Sequence, residues 1–540
     1  MRETLRFHIT GVAFAAVALA LSACGGGGGS DGNPNPPAPS SGWVSGQFAD
    51  SDSFAAQCAA PRTGNDPQGQ PYPDTQGARL AENNWLRSWT NELYLWYDEV
   101  ADRDPGGVFD DSPSETLRYF DLLRTTATTA SGAPKDKFHF TYDTGEWEAL
   151  SQSGISAGYG AEFAVLQGLP PRDVVVILTQ PGTSATSPGV ELARGDRIIE
   201  VDGADLVNGA TQAIVDTLNA GLFPSSLNES HTFKVQDLTD GSERIVTMTS
   251  ESITIDPVQF VSTMPSPGGA NVGYLLFTDH IATAELDLVD AVEQLAAANI
   301  DDLVLDIRYN GGGFLAIASQ LAYMIAGPAQ TDGQVFEAVQ FSDKHPNFNP
   351  VTGAQLLPYS FADITLGLSD ANVAGTPLPS LDLGRVFVLT GPNTCSASES
   401  IINSLRGIGV EVIQIGGTTC GKPYGFYPQD NCGTTYFSIQ FRGVNALNFG
   451  DYTDGFAPTN SANGSTGADL PGCAVNDDFD HDFADPEEAL LKTALEFRDS
   501  ATCLVPSSPA MLQLQSGARR RADAVLYRPP WRQIRIMGNW

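Results

Sequence analysis

From about residue 256 to 500 the chain alternates between short apolar runs and longer amphipathic ones. "NVGYLLF" (Asn271–Phe277), "DLVLDIRYN" (Asp302–Asn310), "RVFVLT" (Arg385–Thr390) and "VEVIQIGG" (Val410–Gly417) read as buried strands. "AELDLVDAVEQLAAANI" (Ala284–Ile300), "FLAIASQLAYMIAG" (Phe314–Gly327) and "SESIINSLRG" (Ser398–Gly407) read as helices. Strands alternating with helices predict a largely parallel sheet buried on both faces. Residues 156–255 differ. There, short β-type runs such as "DVVVILT" (Asp173–Thr179) precede "RGDRIIEVDG" (Arg194–Gly203). That segment predicts a turn, a half-buried strand (Ile198, Ile199, Val201) and a tight Asp-Gly hairpin. In residues 46–155 the pattern is mainly helical. Trp85, Trp89, Leu93, Trp96 and Tyr97 recur at three- and four-residue spacing, an aromatic stripe expected to be core.

The two ends read differently from this body. Residues 1–24 combine a weakly basic start, an apolar run from Ile9 to Leu21 and "LSAC" ending at Cys24. The run is too short for an ordinary membrane span and has a signal-peptide layout. It resembles a bacterial lipobox, which makes Cys24 the expected lipidation site. Residues 25–45 are a Gly/Pro-rich linker, expected to be a tether. Residues 506–540 form a basic tail, whose last 23 residues hold six arginines and one aspartate. The expected tail is disordered or hugs the body, and the sharper alternative is contact with an anionic membrane surface. No later segment reaches about 18 uninterrupted apolar residues.

Composition narrows the function classes. The 540 residues are 41% hydrophobic and carry a net charge of −35, from 64 acidic against 29 basic groups. That balance argues against nucleic-acid binding as a main role, since it rests on cations neutralising phosphates. Cys58, Cys395, Cys420, Cys432, Cys473 and Cys503 leave an even set in an exported chain, compatible with up to three disulfides. The spacing lacks the paired CxxC of a zinc site, so no metal is expected.

"RVFVLTGPNTCSASES" (Arg385–Ser400) is a strand, a turn and a helix start crowded with serines. Free N–H groups at such a start favour developing negative charge. A serine there still needs a base. Among the histidines, His280 closes the strand "VGYLLFTDH" and is the best placed. Of six lysines, Lys422 stands apart in "IQIGGTTCGKPYGF", between Gly421 and Pro423 with Tyr424 and Phe426 close by. A partly desolvated pocket would lower its pKa, as a lysine base requires.

"DIRYNGGG" (Asp306–Gly313), "CSASES" (Cys395–Ser400) and "TTCGKP" (Thr418–Pro423) together resemble the signature segments of the C-terminal processing peptidases, serine proteases with a Ser–Lys dyad. The order of helical region (46–155), PDZ-like domain (156–255) and catalytic domain (256–505) is also that family's. The resemblance implies an α/β catalytic domain with a ClpP/crotonase-like layered ββα core, a β-rich PDZ-like domain and a small, mainly helical N-terminal domain. It makes Ser396 the nucleophile, Lys422 the general base, and Ala397 and Gly312 the oxyanion donors. Glu399 orients the lysine or caps the helix. Gly158, Tyr159 and Gly160 fall in the PDZ carboxylate-binding loop, expected to take a peptide end. Where some members carry a third catalytic glutamine, this chain has Phe426. The neighbouring Cys395 and Cys420 suggest a disulfide holding the two segments together. The implied protein is a cofactor-free, lipid-anchored endopeptidase of the bacterial envelope acting on polypeptides, through their C-termini or otherwise. The alternatives are an inactive peptide-binding protein and a Ser–His hydrolase using His280.

Overall fold

The computed structural model describes residues 42–504, apart from 67–68, 108–111, 154, 225, 239, 370–371 and 461–466, together with 535–536. Cys24, the tether through residue 41 and most of the basic tail lie outside these residues. Among the described residues no helix is long and apolar enough to cross a membrane.

In the N-terminal region, helix α1 (Arg79–Leu93) packs on α2 (Pro113–Asp121). Trp85 and Trp89 stack at 5.2 Å and meet Phe120 and Tyr436, so the aromatic stripe is core as its spacing predicts. The helix stops at Leu93 and does not carry the pattern through Trp96 and Tyr97. Tyr94 becomes extended because its partners lie elsewhere: its buried hydroxyl donates to Asp136 Oδ2 at 2.6 Å. Leu95 N–H then donates to the Ile439 carbonyl at 2.8 Å, tying this region to the body. A disulfide between Cys58 and Cys432 is a second tie between this region and the body.

The next unit is an antiparallel sheet of β1 (Ala161–Gln167), β2 (Asp173–Thr179), β3 (Arg197–Val201), β4 (Ser230–Gln236) and β5 (Glu243–Thr249), in spatial order 5-4-3-2-1. Helix α3 (Gln212–Leu222) closes a core of Val176, Ile198, Val201, Leu218, Phe233 and Val235. The expected hairpin is present. Asp202 and Gly203, with φ of 49° and 76°, link β3 to Ala204–Asp205, the positive-φ pair such a tight turn requires.

The α/β body contributes β6 (Val258–Pro265), β7 (Asn271–Phe277), β8 (Asp302–Asp306), β9 (Gly313–Phe314) and β10 (Arg385–Thr390). It continues with β11 (Glu411–Gly416), β12 (Tyr424–Gly425), β13 (Gly472–Ala474) and β14 (Arg535–Ile536). Six of these form one sheet in the order β6-β7-β8-β10-β11-β13. All its pairs are parallel except β6–β7.

Alternation along each strand divides the core in two, as the period of two requires. Leu303, Leu305, Val386 and Val388 face α4 (Ala284–Ala297), α5 (Leu315–Ala326) and α6 (Ala397–Gly407). Val304, Phe387, Leu389 and Ile413 face α7 (Ala489–Ser500) and residues of β2. Both faces being covered explains why these strands read as almost continuous apolar runs. The C-terminal ends of β8 and β10 therefore emerge together, and the loops leaving them are where the candidate chemistry sits.

Candidate active site

Ser396 is the N-cap of α6, with φ 59° and ψ −114°, a backbone conformation that a non-glycine residue holds only at a cost. The turn before it is pinned to the loop after β8. The Thr394 hydroxyl donates to the Ile307 carbonyl at 2.9 Å, and Cys395 N–H donates to the Asn310 carbonyl at 3.1 Å. The Ser398 hydroxyl donates to that same Asn310 carbonyl at 3.0 Å. Ser400 donates back to the Ser396 carbonyl at 3.3 Å. The serines of this segment thus divide their work, and only Ser396 Oγ is buried with no hydrogen-bond partner among the described residues.

Glu399 joins the two candidate segments. Its Oε2 accepts Ser396 N–H at 2.9 Å and Lys422 N–H at 2.8 Å, so the two main-chain nitrogens share one carboxylate oxygen. Its Oε1 accepts Gly421 N–H at 2.9 Å and the Thr419 hydroxyl at 2.5 Å. Burial pushes this carboxyl above its ordinary value, while the four donors pull it back. A disulfide between Cys395 and Cys420, with Cα atoms 5.2 Å apart, and a 3.0 Å bond from Cys420 N–H to the Thr394 carbonyl add two further ties. Cys395, Glu399 and Cys420 have the atoms of a metal-ligand cluster, but both sulfurs are consumed in the disulfide.

The Lys422 amine is fully buried. Its Nζ sits 4.5 Å from the Phe426 ring centroid and 4.7 Å from that of Phe138. Burial lowers its pKa to about 7, against the opposing pull of the Asp136 and Glu399 carboxylates. Phe426, in the position of the absent glutamine, therefore walls the amine off from water. Phe138 does the same from a region 284 residues earlier in the chain, and no local sequence signal marks it.

The loop from Asn310 to Gly313 faces the start of α6. Gly312 differs from its expected role. Its N–H donates to Asn310 Oδ1 at 3.0 Å and is not free in this conformation. The physical cause is the Asn310 side chain folding over the loop, where Oδ1 also accepts from His280 Nδ1 at 2.9 Å. No acceptor for the N–H of Gly311 or of Ala397 is found among the described residues. Gly313, at φ 139°, must be glycine because a Cβ would lie 2.5 Å from the His280 carbonyl oxygen. His280 itself is fully buried and its pKa is driven down to about 3 by desolvation. Its neutral ring supports the loop through Asn310, a residue the sequence pattern did not single out.

Behind the loop, Arg308 is buried among Asp306, Asp477 and Glu488, with contacts of 2.7 to 2.9 Å. Asp477 also receives Arg194, which precedes β3, at 2.9 Å. In the PDZ-like unit Tyr159 is core, its hydroxyl donating to the Gly221 carbonyl at 2.8 Å. Gly158 ends a short strand paired with Glu251. The Gly160 carbonyl accepts from Gln180 N–H at 2.6 Å.

Residues 271–426, which include both Ser396 and Lys422, match the model of peptidase family S41. The chain is 29% identical over 175 residues to a carboxyl-terminal-processing protease of Picosynechococcus, a match covering 32% of this chain and 39% of that one. It is 28% identical over 173 residues to the chloroplastic carboxyl-terminal-processing peptidase 2 of Arabidopsis thaliana, covering 32% of this chain and 31% of that one. The aligned stretch thus spans less than half of either relative. A crystal structure of an S41-type protein from Bacteroides fragilis superposes with a TM-score of 0.55 at 22% identity, covering 80% of this chain and 98% of the other, and shares its fold.

Proposed function

We propose that the protein is a serine endopeptidase of the C-terminal processing type, with Ser396 as nucleophile and Lys422 as general base, on a ClpP/crotonase-like layered core. What supports this most is Lys422, a lysine held between two phenyl rings, with a pKa lowered to about 7 so that a substantial share of it is neutral amine near neutral pH, and tied to Ser396 through one Glu399 oxygen. The neutral amine takes the Ser396 Oγ proton as Oγ attacks the peptide carbonyl. The oxyanion is met by the Ala397 N–H and by a donor from the Gly311–Gly313 loop, Gly311 as the loop stands or Gly312 once Asn310 releases it. The ammonium then protonates the leaving amine, and water resolves the acyl-enzyme. Glu399 positions both segments and touches no reacting atom.

The PDZ-like unit would receive polypeptide ends near Gly158–Gly160, with the Tyr159 ring as internal support. The setting would be the bacterial envelope, with Cys24 as lipid anchor. A Ser–His mechanism is disfavoured because burial drives the His280 pKa down to about 3, and because neither its Nε2 nor Ser396 Oγ has a hydrogen-bond partner among the described residues, so the two do not meet. The test is acylation by a serine-directed phosphonate together with hydrolysis of unstructured peptides. Both should vanish in Ser396→Ala and in Lys422→Ala with the thermal transition retained. Labelling that persists in Ser396→Ala would move the nucleophile to another serine.

A further inference from the structure

Strand β9 follows directly on the glycine loop, and β12 begins two residues after Lys422. β14 touches both. It pairs in parallel with β9, Gly313 with Arg535 and Phe314 with Ile536, and it also contacts β12. The other edge of Gly313 is already bridged to His280, so β14 takes the edge that remains open. A segment more than one hundred residues removed in sequence from either flank therefore pairs, as an extended strand, with the strand that leaves the proposed oxyanion loop, and also touches the strand that follows the proposed base. An unpaired edge of this kind is a template for backbone pairing by any extended chain.

We propose that the space between β9 and β12 is a binding site for one extended polypeptide strand, and that the chain fills it with its own Arg535–Ile536, so that an outside polypeptide must displace this segment to be cut. The proposal rests on the peptidase reading for the word "cut", but not for the strand site itself. Backbone pairing is indifferent to side-chain identity, which lets a non-cleaved segment and a substrate compete for one place. Being carried on the same chain raises the internal segment's effective concentration well above that of a free peptide. Apparent affinity for an outside ligand falls by the fraction of molecules whose site is open.

The test uses the full chain. A proline at 536 removes a main-chain donor and disfavours pairing without shortening the protein. In the otherwise active protein, Ile536→Pro should lower KM for an unstructured reporter peptide about tenfold with kcat little changed, the outcome of opening a site that is filled about nine-tenths of the time. Independently of turnover, a fluorescein-labelled peptide of sequence 529–540 should bind Ser396→Ala/Ile536→Pro about tenfold more tightly than Ser396→Ala, by anisotropy. The same peptide with Ile536→Pro should lose that binding. Equal affinity for the two proteins together with an unmoved KM would overturn self-occupation. Tight peptide binding with no hydrolysis by any variant would instead sink the peptidase reading and leave the strand site standing.

Discussion

Arg308 and Lys422 are both buried cations of the same body, and the chain surrounds them in opposite ways. Arg308 is held by Asp306, Glu488 and Asp477 in direct ion pairs, and its pKa is raised well above the ordinary value by those carboxylates in spite of burial. Lys422 is lined by Phe138 and Phe426, and burial wins over its nearby carboxylates to bring it to about 7. Arg308 keeps its proton and holds structure: it fastens the end of β8 to the N-cap of α7 and, through Asp477, to Arg194. Lys422 holds its proton loosely and can exchange it. Two residues of one charge type are given opposite proton affinities by their neighbours alone.

The largest way to break this comparison is to replace the exchanging cation. Lys422→Ala should cost at least about a thousandfold in kcat/KM. Lys422→Arg should be equally inactive, because a guanidinium does not deprotonate in proteins. Peptide hydrolysis measured beside a thermal melt checks both, and a substantially active Lys422→Arg would remove the base assignment. Next in size, Arg308→Ala leaves three carboxylates around an empty place and should destabilise the fold by about 3–5 kcal/mol, read from denaturant midpoints. Cys395→Ser/Cys420→Ser should cost about 3 kcal/mol, given a closed loop of 25 residues, and should loosen the register of Ser396 against Lys422.

A finer effect lies in pH. Since the folded-state pKa of Lys422 is depressed to about 7 from 10.5, the unfolded chain binds the extra proton between those values. Stability should therefore rise with pH from about 7 to 10.5, and Lys422→Met should flatten that rise. The kcat/KM profile should climb through about pH 7, a limb that mimics histidine. Smallest of all, Phe138→Ala should admit water to the amine and move that limb upward, by on the order of one pH unit.

Much of the candidate site was legible because its signals are local. Ser396 lies where a strand, a turn and a helix start meet, and Lys422 was conspicuous among six lysines for its glycine, proline and aromatic neighbours. The hairpin at Asp202–Gly203 and the buried parallel strands follow from turn chemistry and apolar runs. What stayed hidden depends on groups distant in sequence converging in space. Glu399 looked like an ordinary first-turn acid, and its service to two segments needs the fold. Gly312 read as a free donor, because no sequence rule says that the Asn310 side chain turns back over the loop. Helix α1 ends early for the same reason: Tyr94 and Leu95 find partners in Asp136 and Ile439, which no propensity foretells.

Phe138 has a practical consequence. Residues 271–426, the part of the chain that matches the peptidase family, contain Ser396, Glu399 and Lys422 but not this ring, nor Asp136 beside it. On the Ser–Lys reading, transplanting that stretch into another scaffold would carry over the motif without one of the two rings that cover its lysine. The unit an engineer would have to move then reaches back at least to Phe138, beyond the unit a family comparison recognises.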